Sequence, residues 1–102
     1  MIKVLSLSAG PDTKLSANFR VREFACKDGS DILFVAEELV EKLQALRDSL
    51  GKPISINSAY RTQSHNKKVG GQTLSTHLAG LAADIVVSGM APAEVAAAAE
   101  TI

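Results

Sequence analysis

A histidine and an aspartate stand seven positions apart in the stretch Ser75-Thr76-His77-Leu78-Ala79-Gly80-Leu81-Ala82-Ala83-Asp84, whose skeleton is S-x-H-x-x-G-x-A-x-D. Imidazole nitrogen and carboxylate oxygen together form a ligand set that suits zinc. A spacing of seven would align the two side chains on one helix face. Gly80 and the β-branched run Ile85-Val86-Val87 argue against a helix there. In one unbroken strand the odd offset would send them to opposite faces. They converge if His77 lies in a loop, the chain turns near Gly80, and Asp84 opens a strand. The plainer alternative is a hydrogen-bonded His–Asp pair without metal. Arg61 is the next candidate, because its guanidinium can grip a substrate carboxylate or carbonyl through two parallel bonds. Its plainer role is a structural ion pair. Ser75 is placed to hydrogen-bond substrate or to orient His77, or simply to form a turn.

Several elements must position these groups. Ile32, Val35, Ala36, Leu39, Leu43, Leu46 and Leu50 recur at offsets of three and four, which predicts a helix over Asp31–Leu50. Ser30 or Asp31 would cap it, Gly51 would end it, and Pro53 would prevent its resumption. Glu38 and Lys42 are spaced as a helix-stabilising pair. Pro53–Tyr60 reads as a strand with Ile54 and Ile56 on one face, and Arg61 follows its end. Thr62–Val69 reads as a short helix, capped by Thr62 or Ser64 and stopped by Gly70-Gly71. A strand is expected over Ala82–Val87, and a last helix from Pro92 through the alanines to Ala99. At the other end, Ile2 to Leu7 suits a marginal strand. Leu15 to Cys26 lacks a clean period and is expected to be irregular, packing Phe19 and Phe24 on the core, with Cys26 as a small buried hydrophobe. The fold class that follows is α+β: a small antiparallel or mixed sheet with helices packed against it.

Composition narrows the function. A chain of 102 residues supports one domain with one core. Eleven basic and eleven acidic residues cancel, and no basic stripe marks a nucleic-acid partner. Cys26 is the only cysteine, so no internal disulfide and no thiolate pair for zinc is available. The apolar run before Gly10-Pro11 is too short for a signal peptide, and no window of about 18 apolar residues predicts a membrane span.

The S-x-H-x-x-G-x-A-x-D core stands with Ile56-Asn57-Ser58-Ala59-Tyr60-Arg61-Thr62 and His65-Asn66-Lys67-Lys68-Val69-Gly70-Gly71 upstream, and with Asp84-Ile85-Val86-Val87 and Pro92-Ala93-Glu94-Val95-Ala96 downstream. More weakly, Leu15-Ser16-Ala17-Asn18-Phe19 and Glu23-Phe24-Ala25-Cys26 join the pattern. This combination resembles the zinc D-alanyl-D-alanine carboxypeptidases and phage endolysin peptidases of the hedgehog-like metallopeptidase fold. The resemblance implies a zinc cofactor held by His77 and Asp84. It implies a catalytic Arg61 that faces the site and assists the substrate carbonyl, with Arg61 and Ser75 binding substrate. The implied substrate is a peptidoglycan stem or cross-bridge peptide cut near D-alanine, with no nucleic acid and no membrane involved. His65 is not a ligand position in the family; a hydrogen bond holding the Gly70-Gly71 loop is expected of it instead. The family's third ligand is a second histidine on a strand after the last helix, with the general base close to it. Neither occurs within residues 1–102, so the expectation is one peptidase-like domain lacking its final strands and inactive as it stands. The rivals are a non-catalytic wall-binding module and an inactive fragment. Without a signal peptide, synthesis in the cytoplasm and action on the wall after release or export are expected.

Overall fold

The computed structural model describes residues 1–70, 76–80 and 83–100. Along the chain run β1 (Ile2–Ser6), β2 (Lys14–Ser16), β3 (Phe19–Arg20), a 3-10 turn (Val21–Phe24), β4 (Ile32–Ala36) and α1 (Glu37–Leu50). Then follow β5 (Ile54–Ser58), α2 (Gln63–Lys68), a second 3-10 turn (Thr76–Ala79), β6 (Asp84–Val87) and α3 (Pro92–Glu100). The architecture is α+β, as the pattern of elements predicts. The strands form three antiparallel pairs, β1 with β4, β2 with β3, and β5 with β6. No helix among the described residues is long and apolar enough to cross a membrane.

The first half of the expected helix over Asp31–Leu50 is corrected. Residues Ile32–Ala36 are a strand, and the helix begins at Glu37. Ile32, Leu33, Phe34 and Val35 are β-branched, aromatic or large apolar residues that suit a pleated surface. The partner strand decides the matter: Ile2 pairs with Ala36, Val4 with Phe34, and Ser6 with Ile32. Leu33 and Val35 then point inward and are fully buried, while Ile32 on the opposite face is exposed. Asp31 caps no helix. Its carboxylate accepts the Ser6 hydroxyl at 2.6 Å and the Ser8 amide at 2.7 Å. These bonds, the Ser6 one foremost, hold its pKa below the ordinary carboxylate value. Glu38 likewise pairs with the amino group of Met1 rather than with Lys42.

Helix α1 buries Val40, Leu43 and Leu46 and ends at Gly51, whose φ of +63° is the left-handed conformation that favours glycine. Its inward stripe meets Leu33 and Val35 of β4, Phe19, Phe24, Ile54 and Val87 in one apolar core. Phe19 and Phe24 pack edge to face with ring centres 6.2 Å apart. The Leu15–Cys26 segment is more regular than expected, holding the β2–β3 pair and the first 3-10 turn. Cys26 is buried, as a small hydrophobe should be.

Candidate metal and peptide site

The β5–β6 ribbon sets the frame. Ser58 and Asp84 are paired at one end of it, just past an irregularity in the register after Ile56. Beyond Ser58 the chain leaves the ribbon through Ala59 and Tyr60 to Arg61. The backbone here is tied on two sides. Tyr60 N–H donates to the Phe24 carbonyl at 3.2 Å, and Arg61 N–H donates to the His77 carbonyl at 3.0 Å. The Y-R-T block and the His77 segment are thus joined by a main-chain bond.

His77 is locked from several directions. It sits in the second 3-10 turn, and its carbonyl also accepts Gly80 N–H at 3.2 Å. Gly80 has φ of +72°, the turn that the His–Asp spacing demands. Its carbonyl accepts Ala36 N–H at 2.9 Å, which docks the turn against β4. A Cβ on Gly80 would collide with the Phe34 carbonyl and lie 2.8 Å from Val35 N. The imidazole is buried, and its Nδ1 lies 2.6 Å from the Ala59 carbonyl oxygen. A carbonyl only accepts, so Nδ1 carries the proton and donates it. In the neutral ring Nε2 then presents its lone pair. That atom lies 3.6 Å from Asp84 Oδ2.

Two ligands bound to one tetrahedral zinc at about 2.0–2.1 Å sit about 3.3–3.4 Å from each other. The observed 3.6 Å is close to that separation, and Asp84, with a side chain 60% exposed, has freedom to adjust. The donor set also fits: a neutral imidazole whose other nitrogen is fixed by a backbone carbonyl, facing a carboxylate. Among the described residues, no group of three or more His, Cys, Asp or Glu side chains gathers to hold a metal. His65, the other histidine, therefore does not complete a cluster there. Its carbonyl accepts Val69 N–H at 3.0 Å, near the end of α2; Gly71 lies outside the described residues.

Arg61 joins the same corner. Its Nη2 donates to Asp84 Oδ2 at 3.2 Å, the oxygen that faces His77. Its Nε donates to Ser58 Oγ at 3.0 Å and its Nη1 to Asn66 Oδ1 at 3.3 Å. Its side chain is 16% exposed, so it is largely but not wholly buried beside the open Asp84 carboxylate. Both readings of this arginine meet in one place: it pairs with a carboxylate, and that carboxylate belongs to the candidate site. Ser75 lies outside the described residues.

Sequence reasoning missed Ser58, Asn66 and a support behind Arg61. Thr62 Oγ1 accepts His65 N–H at 3.2 Å, the expected N-cap of α2, and donates to Asp28 Oδ2 at 2.6 Å. Thr62 N–H donates to Cys26 Sγ at 3.4 Å. The Thr62 hydroxyl, aided by Ser30, holds the Asp28 carboxyl far below the usual range. Tyr60 packs edge to face on Phe34 at 5.1 Å, and its burial raises the phenol pKa. No local signal marks Ser58 or Asn66, because both are polar residues in polar surroundings.

The family model described as Peptidase M15 matches residues 15–102. A protein of Streptomyces albus G named zinc D-Ala-D-Ala carboxypeptidase is 47% identical over 45 residues, covering 43% of this chain and 18% of that protein. The match therefore spans less than a fifth of that relative's length. No solved structure matches the chain. With the family model spanning the ribbon, α2, the His77 turn and α3, the chain belongs to the Peptidase M15 family.

Proposed function

We propose that the chain is a zinc peptidase domain that acts on peptidoglycan stem or cross-bridge peptides beside D-alanine. The observation that carries this reading is the tautomer of His77: the bond from Nδ1 to Ala59 O leaves Nε2 facing Asp84 Oδ2. His77 and Asp84 would hold zinc, with the remaining ligands coming from outside the described residues. Zinc held there supplies a Lewis acid for a peptide carbonyl.

The chain's own groups do the rest. The Ala59 carbonyl keeps the imidazole oriented, with Nδ1 as the donor. Arg61, anchored by Ser58 and Asn66, is placed beside Asp84 to meet a substrate carbonyl or terminal carboxylate. The relative's name, a zinc D-Ala-D-Ala carboxypeptidase, supports the substrate class. Action on the wall after release or export goes with this reading.

The test is zinc stoichiometry and turnover of a peptide ending in D-Ala-D-Ala, measured for the chain and for His77→Ala and Asp84→Ala. Loss of bound zinc in both variants is expected. Unchanged zinc content in both would overturn the reading. Affinity for muropeptides without bound zinc would instead support a wall-binding module built on the same scaffold.

A further inference from the structure

Arg61 is gripped at all three of its nitrogens, each by a residue from a different element. Nε meets Ser58 Oγ at the end of β5, Nη1 meets Asn66 Oδ1 on α2, and Nη2 meets Asp84 Oδ2 at the start of β6. A planar fork with three separate acceptors has both its position and its plane fixed.

Asn66 is the more telling of the two new partners. Helix α2 reads Gln-Ser-His-Asn-Lys-Lys, and Asn66 is its buried residue, 3% exposed. Packing alone would place an apolar side chain at that inward position. A primary amide there is costly unless its polar atoms are bonded. Ser58 and Asn66 are also neutral acceptors. They orient the guanidinium without drawing its charge away from Asp84, so the ion pair stays with the carboxylate.

We propose that Ser58 and Asn66 are positioning residues that act through Arg61, fixing the plane of its guanidinium so that Nη2 meets the Asp84 carboxylate. Its consequence for metal rests on the zinc reading above; the cradle itself does not.

The first experiment needs no metal. Nitrogen-15 relaxation of the Arg61 Nε–H group is measured in the chain and in Ser58→Ala, Ser58→Thr and Asn66→Ala. An ordered group in the parent, mobile in both alanine variants and restored in Ser58→Thr, is expected, because threonine keeps the hydroxyl. A mobile group in the parent, or no change in the alanine variants, overturns the proposal. If Asn66→Ala does not fold, the Ser58→Ala and Ser58→Thr pair decides alone.

The second experiment titrates zinc alone against a competing chelator. Each alanine variant is expected to bind zinc about tenfold more weakly, the lower end of what loss of a ligand's supporting partner produces. In an Arg61→Ala background neither substitution should weaken binding further. A full additional loss in that background would show that Ser58 and Asn66 do not act through Arg61. A parent chain that binds no zinc overturns the metal reading, and the relaxation result still decides the cradle.

Discussion

Gly80→Ala offers the sharpest test of how the site is built. Gly80 combines a φ of +72° with direct backbone contact against β4. An L-residue in the left-handed region costs about 1–3 kcal/mol. The new Cβ would also run into the Phe34 carbonyl and lie 2.8 Å from Val35 N, both main-chain groups that no rotamer change moves. Relief requires the turn to retreat from β4, which breaks the 2.9 Å bond from Ala36 N–H to Gly80 O. Ala36 is 1% exposed, so its amide would be left buried and unpaired, at about 1–3 kcal/mol. The combined loss is about 2–6 kcal/mol, a large share of a small domain's stability of about 5–15 kcal/mol. Gly51→Ala is the control: it shares a positive φ of +63°, but a Cβ there meets nothing within 4 Å. It should show the conformational cost alone. The assay is the urea midpoint of both variants with the slope checked for constancy. If Gly80→Ala falls within 1 kcal/mol of Gly51→Ala by roughly that measure, the close approach to β4 is not what holds the turn, and the account of His77 positioning fails.

Other outcomes follow from the same contacts. Thr62→Ala should cost about 1 kcal/mol through loss of the α2 cap, read as a lower urea midpoint, with Thr62→Ser recovering most of it. Asp28→Asn tests the depressed carboxyl: a lowered folded-state pKa stabilises above the unfolded value near 4 and is lost as pH falls below it. The parent should therefore exceed the variant in stability by a constant margin above about pH 5, and the two should converge in acid; a gap that widens in acid refutes the sign. Zinc at a hundredfold over its Kd should stabilise the chain by about 2.7 kcal/mol, seen as a rise in Tm that chelator reverses and that His77→Ala abolishes.

The legible parts of this fold are those written in local pattern. The inward stripe of α1, the glycine at its end and the threonine cap of α2 all follow from short-range rules, and they stand where those rules put them. The start of α1 was illegible for a specific reason. Ile32, Val35 and Ala36 satisfy helical offsets, while the unbroken apolar run Ile32–Ala36 suits a buried strand equally. Only the distant Ile2–Ser6 strand selects the strand. The site divides in the same way. His77, Asp84 and Arg61 declare themselves by type and spacing, and the structure brings them within contact distance. Ser58 and Asn66 do not, because a serine ending a strand and an asparagine in a polar helix look ordinary until tertiary packing brings them against Arg61. The link from Asp28 through Thr62 spans 34 positions and leaves no trace in either local segment.

The bond from His77 to Ala59 has a consequence for how this site tolerates mutation. Where a side-chain carboxylate orients a metal-binding histidine, one nucleotide change can delete the partner. Here the acceptor is main chain, and every residue type at position 59 would bring the same carbonyl. Substitution at that position is constrained by size and polarity, since Ala59 is 2% exposed, and not by any need for a hydrogen-bonding side chain. The choice of imidazole tautomer is thus inherited from the path of the backbone. It is lost when the strand end itself moves. A mutational scan would therefore find the histidine's orientation sensitive to folding defects around residues 58–61.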